Sequence, residues 1–450
     1  MISPARWAAF EALRRADPGR GGGKDLASSL SETRGLVADP RDRALATELA
    51  LGVERWRAAL DATIAAAAGR DTASIDFAAL ISLRIAVFQI THLTRTPAHA
   101  VVDDAVEITR RAGAMRAAGF VNAVLRQLLR GPLDAGLPAR PADENPDAWT
   151  RYLTTTLSHP AWLVERWIAR HGTAAAERWA RFNNEPATLT VRVNTTRVPV
   201  EEARARLAAE GVTAEPCAHA PKALAVTTGN PMSTALYRDG LVALMDEASQ
   251  LVGALAASAL AGTVLDACAA PGGKTLILAC DMPEGSRLIA ADRRPRRVTL
   301  LSRALAKYGL GHVPVIQHDL SQGVPLREID GVLVDAPCSG LGTIRRDPDI
   351  RWRRSPGDLE PLSDMQQRHL RQAARAVRAG GRVVYATCSS EPEENEQVVG
   401  AFLAEHAGFT RTAITGDAFT PFIDARGDFR TLPHRDGLES FYGAVLTRSL

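Results

Sequence analysis

Two thiols and three carboxyl groups each lie at or just after the end of an apolar run that is typical of a buried strand. The carboxyl groups belong to Asp292, Asp319 and Asp335, and the thiols belong to Cys338 and Cys388. These runs alternate with helical patterns, which predicts a doubly wound parallel sheet. Because the carboxyl ends of parallel strands meet in one crevice, we expect these side chains to converge on a single site.

A short glycine-rich turn precedes these strand ends and predicts a ligand-binding loop. A strand ends at Asp266, residues 269–273 lack bulky side chains, and a helical pattern follows. Such a turn lets backbone N–H groups approach a ligand closely. It matches neither the dinucleotide fingerprint nor the P-loop, yet Asp292 follows where an acid commonly binds ribose hydroxyls. We therefore predict a nucleoside cofactor held without a phosphate-binding loop, and the alternative is an ordinary strand–turn–helix.

The two thiols predict nucleophilic chemistry. Cys338 and Cys388 are flanked by Ser or Thr, whereas Cys217 and Cys280 read as structural residues. A thiolate that adds to C6 of cytosine makes C5 nucleophilic enough to take a methyl group from a sulfonium. The C5 proton then leaves and the thiolate is eliminated. One thiol for attack and a second for product release fit this scheme, and the alternative is that both merely pack the strand ends.

Composition and length favour a soluble multidomain protein. The chain has 450 residues, of which 46% are hydrophobic and 23% charged, and its net charge is +3. No apolar run approaches the roughly 18 residues of a membrane span, and the N-terminus does not resemble a signal peptide. The five cysteines show no C-x-x-C spacing, which favours free thiols in a reducing cytoplasm over disulfides or a metal site. We therefore expect a cytoplasmic protein without membrane or metal partners.

The hydrophobic pattern changes along the chain and predicts four segments. Helical periodicity predicts an all-α domain over 1–138. The Pro-, Gly- and Asp-rich stretch GPLDAGLPARPADENPD predicts a linker, which we place over 139–160. A β-α-β pattern predicts a small α+β subdomain over 161–240, and alternating strands and helices predict an α/β domain over 241–450. The first domain has no evident acid–base or metal cluster, so we expect it to bind a partner.

The local density of arginine predicts RNA contacts in two places, although the net charge of the whole chain is small. Four arginines lie within residues 293–297, and five lie within residues 345–354, including Arg351. A local basic cluster is the usual electrostatic feature of a nucleic-acid surface.

Three stretches resemble motifs of the S-adenosylmethionine-dependent RNA cytosine-C5 methyltransferases: VLDACAAPGGK, VDAPCSGLGTIRRDPDIRW and YATCSSEPEENEQVV. This resemblance covers roughly residues 150–450. Two further stretches near the N-terminus, DRALATELALGVERW and FVNAVLRQLLR, resemble the NusB-like RNA-binding domain that bacterial members carry. The resemblance implies an all-α NusB-like domain, a small α+β (RRM-like) subdomain and a Rossmann-like methyltransferase domain.

The resemblance also implies a role for each candidate residue. Cys388 corresponds to the family's nucleophile, Cys338 to the cysteine that assists product release, and Asp335 to a residue near the cytosine and the methyl-transfer point. The sequence alone does not choose between the thiols, because DNA cytosine methyltransferases use the other cysteine. Asp292 is implied to bind the ribose of S-adenosylmethionine, and Asp319 to lie by its adenine. The residues implied to bind this cofactor are Cys268, Ala269, Ala270, Pro271, Gly272, Gly273, Lys274, Asp292, Arg297, Asp319 and Asp335.

The implied substrate is a cytosine in small-subunit (16S) ribosomal RNA, either free or in an early assembly particle. A base splayed out of single-stranded RNA suits this chemistry better than a base inside a duplex. A transfer RNA substrate is the near alternative, and only the N-terminal domain argues against it. A non-catalytic RNA-binding or assembly factor is the distant alternative, disfavoured because both thiols and the strand-end acids are present. We expect a monomer.

Overall fold

The computed structural model describes residues 2–17, 23–93, 97–324 and 326–450. The chain forms two compact units. The helical unit comprises Met1–Pro186 and Ile344–Ser355, and the sheet unit comprises Ala187–Thr343 and Pro356–Leu450. The stretch predicted as helical near the N-terminus also includes residues 18–22 and 94–96, which lie outside the described residues.

The predicted all-helical N-terminal part is confirmed. Over the predicted span 1–138 its helices are α1 (Pro4–Ala16), α2 (Leu26–Thr33), α3 (Pro40–Ala68), α4 (Phe77–His92), α5 (Ala98–Arg111) and α6 (Ala118–Arg130). The helical unit continues with α7 (Pro146–Arg151), α8 (Ala161–His171) and α9 (Thr173–Asn184). The last two helices fall in the span 161–240 predicted as the α+β subdomain, but they belong to the helical unit. The Asp39 side chain caps α3 by accepting from the backbone N–H of Arg41, and Gly69 ends it in the left-handed conformation. A core that includes Leu49 and Phe88 holds the first six helices together.

The segment predicted as a linker, 139–160, is partly helical. It contains α7 and a π-helical turn over Tyr152–Thr156. The Asn145 side chain caps α7 by accepting from two backbone N–H groups, and Trp149 and Tyr152 are buried. Burial of these two aromatic side chains orders a stretch whose proline content predicts a loop.

The remaining helices are α10 (Val200–Ala209), α11 (Ala235–Arg238), α12 (Glu247–Ala259), α13 (Gly273–Asp281), α14 (Pro295–Lys307), α15 (Ile350–Arg353), α16 (Leu359–Ala376), α17 (Glu396–Glu405) and α18 (Pro433–Asp436). The strands are β1 (Leu189–Val193), β2 (Thr213–Pro216), β3 (Ala223–Thr228), β4 (Val242–Leu244), β5 (Thr263–Asp266), β6 (Arg287–Asp292), β7 (Val315–Gln317), β8 (Ile329–Asp335), β9 (Val377–Thr387), β10 (Phe409–Arg411), β11 (Phe429–Arg430) and β12 (Tyr442–Arg448).

A small antiparallel sheet opens the sheet unit, with strand order β2-β3-β1-β4. Val191 and Val193 of β1 share a core with Leu207 of α10. The predicted end of this subdomain at residue 240 falls short by one strand, because Val242 of β4 pairs with Val193.

The larger sheet has the order β10-β12-β9-β8-β5-β6-β7, and β11 pairs with β12. The predicted parallel arrangement is confirmed for β5 to β9. The C-terminal strands are antiparallel, since β12 runs against β9 and β10 runs against β12. The sheet is therefore mixed, and its central strands are almost continuously apolar because helices cover both faces.

Within the described residues, no helix combines the length and the apolar character needed to cross a membrane.

Candidate active site

The carboxyl ends of the parallel strands bring the predicted side chains to one edge of the sheet. Asp266 ends β5, Asp292 ends β6 and Asp335 ends β8. Cys268 lies among these carboxyl groups: burial raises the pKa of its thiol, and the nearby charges of the three aspartates raise it further. The thiol of Cys268 is therefore protonated at neutral pH, which fits a packing residue and excludes a resting thiolate.

The glycine-rich turn between β5 and α13 is fixed by its own backbone. The N–H of Ala269 donates to the carbonyl of Ala291 at 2.8 Å, and the N–H of Gly272 donates to that of Ala269 at 2.7 Å. Gly272 has φ of 109°, a conformation that L side chains rarely adopt. A Cβ at Gly272 would also lie 3.1 Å from a methyl group of Leu301. Glycine is required here for both reasons.

Asp266 supports the same turn from below. It is fully buried, and its Oδ2 accepts from the hydroxyl of Thr275 at 2.7 Å. Burial raises the pKa of Asp266 to about 7, with a smaller contribution from the negative charge of Asp335. Asp266 is thus partly neutral near neutral pH, a property that the sequence did not predict.

Asp292 and Arg297 join the end of β6 to the turn. The carboxylate of Asp292 is buried, accepts from the backbone N–H of Arg294 at 3.1 Å and lies 3.5 Å from Nε of Arg297. Arg297 also donates a short hydrogen bond to the carbonyl of Ala270. Arg297 therefore links a strand-end acid to the predicted cofactor loop, and its part in cofactor binding stays a prediction.

Asp319 lies at the neighbouring strand, just after β7. Its Oδ1 caps a short 3₁₀ turn by accepting from the N–H and the hydroxyl of Ser321. Partial burial raises the pKa of Asp319, but the hydrogen bonds from Ser321 and the charge of Arg293 outweigh it and lower the pKa overall. One oxygen of Asp319 is thus engaged locally, and Oδ2 faces Arg293 at 3.8 Å.

These residues fit S-adenosylmethionine better than a phosphorylated nucleotide. The edge of the sheet presents the carboxyl groups of Asp292, Asp319 and Asp335, all of which are acceptors when ionised. A ligand with ribose hydroxyls, amino groups and a sulfonium charge offers matching donors and a matching charge. A phosphate would meet like charges at this edge.

The two predicted thiols lie side by side at the ends of β8 and β9. The sulfur atoms of Cys338 and Cys388 are 3.2 Å apart, and both residues are partly exposed. The hydrogen bond with Cys388 and burial together raise the pKa of Cys338 well above its usual range. Cys338 therefore keeps its proton at neutral pH, and either sulfur can be the donor in this contact.

A lysine from the cofactor loop lies beside the thiols. Nζ of Lys274 is 2.7 Å from Oδ2 of Asp335 and 5.6 Å from the ring centre of Phe441. Burial lowers the pKa of Lys274, but Asp335 and the neighbouring Cys388 outweigh it and raise the pKa overall. A positive charge therefore lies close to the Cys388 sulfur. This ion pair was not predicted, because residues so distant in sequence meet only in the folded sheet.

A second unpredicted residue is Glu394, which is fully buried and hydrogen-bonded to the serines that follow both cysteines. It lies in the acidic run EPEENE, which follows Cys388 within the stretch YATCSSEPEENEQVV. A dense run of acids usually marks a solvated surface. Its position in the same family-like stretch as Cys388 was the only feature of the sequence that argued against a solvated surface.

The arginine-rich stretch 345–354 is not a uniformly exposed RNA surface, so its prediction is wrong for Arg351. The side chain of Arg351 is fully buried in the helical unit. Nη1 donates to the carbonyl of Ser158 and to Oδ1 of Asn184, both at 2.9 Å. The other predicted cluster, within 293–297, has exposed side chains. The arginine count alone could not separate these two cases.

Comparison with known proteins gives three family matches along the chain. The model described as 16S rRNA methyltransferase RsmB/F matches residues 255–447. The NusB family matches residues 3–130, and the ferredoxin-like domain of RsmF/B-like methyltransferases matches residues 159–233.

Whole-chain relatives agree with these matches. The probable ribosomal RNA small subunit methyltransferase B of Bacillus subtilis is 33% identical, over 96% of this chain and 96% of its own. The ribosomal RNA small subunit methyltransferase B of Pseudomonas syringae is 30% identical, over 95% of this chain and 94% of its own. The crystal structure of PH0851 superposes with a TM-score of 0.79 at 24% identity and covers 99% of both chains, which shows a shared fold.

Proposed function

Because the chain belongs to the 16S rRNA methyltransferase RsmB/F family, we propose that it methylates carbon 5 of a cytosine in small-subunit ribosomal RNA. The pair of thiols 3.2 Å apart carries this proposal. A nitrogen or oxygen of RNA has a lone pair that can attack a methyl donor directly. Carbon 5 of cytosine has none and requires a nucleophile to activate the ring. A paired thiol site therefore favours the carbon target.

The cofactor proposed for this reaction is S-adenosylmethionine, which supplies the methyl group when bound. Asp292 would accept from its ribose hydroxyls, and Asp319 would lie on the adenine side. The turn that ends in Gly272 and Gly273 would bring backbone close to the methionine part. The chain's contribution is to hold the methyl donor at the edge of the sheet beside the thiols.

Cys388 is the proposed nucleophile. Lys274 places a positive charge close to the Cys388 sulfur, and the Cys338 sulfur lies 3.2 Å from it. A neighbouring positive charge and a neighbouring thiol are features of activated cysteine nucleophiles. Its sulfur forms a bond to C6 of the cytosine, and C5 then forms a bond to the methyl carbon. Asp335 would accept from the exocyclic amine of the cytosine and so orient the ring.

Cys338 is proposed to assist release of the product. The C5 proton must leave so that the C5–C6 double bond re-forms and the bond between C6 and the Cys388 sulfur breaks. The Cys338 sulfur lies 3.2 Å from the Cys388 sulfur, so it is close to the bond that must break and is proposed as the base at this step.

The helical unit is proposed to bind the ribosomal RNA. Its NusB-family match and the lack of thiol chemistry in its described residues support a binding role. In the sheet unit, the exposed arginines within 293–297 are proposed to contact the RNA backbone. The target base would have to be unpaired or flipped out to reach the two sulfurs.

Bisulfite mapping of ribosomal RNA from cells with and without the gene tests this function. We expect one 16S cytosine to lose its protection in the deletion strain. Wild-type protein should restore it, Cys388→Ala should not, and Cys280→Ala serves as the matched cysteine control. Protection lost from a transfer RNA instead would move the substrate to the near alternative, and an unchanged map would contradict the proposal.

A further inference from the structure

Glu394 is a buried carboxyl group that contacts both cysteine-bearing loops of the sheet unit. Its Oε1 accepts from the backbone N–H of Ser339 at 2.8 Å. Its Oε2 accepts from the hydroxyls of Ser339 and Ser389, both at 2.5 Å. Ser339 directly follows Cys338, and Ser389 directly follows Cys388. One carboxyl group therefore joins the residues next to the two thiols.

Glu394 is itself held in place from two further directions. Gln366 of α16 donates through Nε2 to Oε1 of Glu394 at 2.9 Å and to the carbonyl of Pro337 at 3.0 Å. The hydroxyl of Tyr385 donates to the backbone carbonyl of Glu394 at 2.6 Å. Every side-chain contact to its carboxyl oxygens is a donor, which is what an ionised carboxylate accepts.

The burial of Glu394 is costly, and its partners do not include a positive charge. It is 0% exposed, and no lysine, arginine or histidine of the described residues lies within ion-pair distance of it. Replacement of buried charged groups by well-packed apolar side chains often leaves the stability unchanged or increases it. The unusual feature is that its hydrogen bonds lead to the two catalytic loops, which indicates a role in geometry.

The loop that carries Cys388 is fixed on its other side by different residues. Asn395 accepts from the hydroxyl of Thr387 and donates to the carbonyl of Ser389. The backbone N–H of Gly342 donates to the carbonyl of Cys388 at 2.9 Å. The hydroxyls of Ser339 and Ser389 also lie 3.2 Å apart, as do the two sulfurs. The hydrogen bonds to Glu394 add a buried anchor that both loops share.

We propose that Glu394 is a positioning residue that sets the separation of the Cys338 and Cys388 sulfurs. The consequence for methyl transfer rests on the proposed function, because it assumes that both thiols act on one cytosine. The separation itself does not depend on that function. Two experiments can therefore test the geometry and the chemistry separately.

Phenylarsine oxide tests the geometry without RNA or cofactor. Its arsenic forms one bond to each of two neighbouring thiols, and their two protons leave with its oxygen as water. We expect the wild-type protein to bind one arsenical at these cysteines, and Glu394→Gln to bind it about tenfold more weakly because chelation by both sulfurs is lost. Cys338→Ser keeps only one thiol of the pair and measures the arsenical binding that does not need both sulfurs. Glu360→Gln, an exposed substitution in α16, is the charge-matched control and should bind like the wild type. Equal affinity in Glu394→Gln would overturn the proposal.

Methylation kinetics test the consequence. In Glu394→Gln we expect kcat to fall about 100-fold, as a displacement near 1 Å does in other sites. The KM for RNA and the affinity for S-adenosylmethionine should stay unchanged. Losses of kcat, cofactor affinity and melting temperature in parallel would reduce Glu394 to a structural residue. If arsenical binding weakens as expected but the wild-type protein methylates no RNA, the positioning role stands and the proposed function fails.

A second set of variants covers the case in which Glu394→Gln does not fold. Ser339→Ala and Ser389→Ala each remove one hydroxyl from Oε2 of Glu394. Because the two hydroxyls share this carboxylate and also lie 3.2 Å from each other, we expect the loss of arsenical affinity in the double variant to differ from the product of the two single losses. Independent, multiplicative losses would contradict a shared positioning residue.

Discussion

Arg351 in the helical unit and Glu394 in the sheet unit are both fully buried charged side chains. Neither lies within ion-pair distance of an opposite charge among the described residues. Arg351 donates to oxygen atoms of Arg55, Ser158, Asn183 and Asn184. Glu394 accepts from the serines beside two thiols. The physical cost of burial is of the same kind in the two regions, and only the partners differ.

The difference between the partners separates a structural charge from a positioning charge. The partners of Arg351 are three backbone carbonyls and one amide oxygen, none of which can act as a nucleophile or a base. They come from separate parts of the helical unit, so Arg351 joins segment 344–355 to the rest of that unit. Glu394 instead joins two short loops that carry the reactive groups. Burial alone would have ranked the two residues equally.

Removal of the Arg351 charge should give the largest loss of stability. Arg351→Met keeps the length of the side chain but leaves buried oxygens without a donor, so we expect the free energy of unfolding to fall by about 3–5 kcal/mol. Chemical denaturation would measure it, with the partly exposed Arg353→Met as the control. Glu394→Gln should lose less stability than Arg351→Met and far more kcat. A larger loss of stability in Glu394→Gln than in Arg351→Met, or a larger loss of kcat in Arg351→Met, would contradict this separation of roles.

Asp292 extends the comparison to a buried carboxylate whose proposed partner is a ligand rather than another part of the chain. Asp292→Ala should weaken binding of S-adenosylmethionine by about 1.5–3 kcal/mol, through loss of charge-assisted hydrogen bonds to the ribose. Calorimetry measures this affinity directly, with the exposed Asp417→Ala as a control. An unchanged affinity in a folded variant would remove Asp292 from the cofactor site.

Asp266 gives an expected effect of a different kind, a dependence of stability on pH. Its pKa is about 7 in the folded protein and about 3.9 in an unfolded chain. Between these values the folded state binds more protons than the unfolded state, so the free energy of unfolding falls as pH rises. The slope from this group is at most about 1.4 kcal/mol per pH unit. Denaturation between pH 5 and 7 should show a shallower decline in Asp266→Asn and no change in Asp417→Asn. Identical slopes would show that Asp266 is ionised throughout.

The hydrophobic pattern predicted the parallel strands and, through them, which residues meet at the sheet edge. A period of two or a continuous apolar run depends on local burial, so β5 and β8 were visible in the sequence. The antiparallel direction of β12 could not be read from the sequence, because the connection that precedes it has no local periodicity. Arg351 and Glu394 were also missed. A charged residue within a charged run gives no local sign of burial, which depends on partners distant in sequence.

Trapping of a covalent protein–RNA adduct tests the proposed chemistry most directly. If Cys388 attacks C6 and Cys338 releases the product, Cys338→Ala should complete attack and methyl transfer and then stall. A protein–RNA adduct should accumulate, survive denaturing electrophoresis and be missing from the Cys338→Ala/Cys388→Ala double variant. An adduct formed by Cys388→Ala and not by Cys338→Ala would reverse the two roles. The absence of an adduct from both single variants would contradict covalent catalysis by this pair.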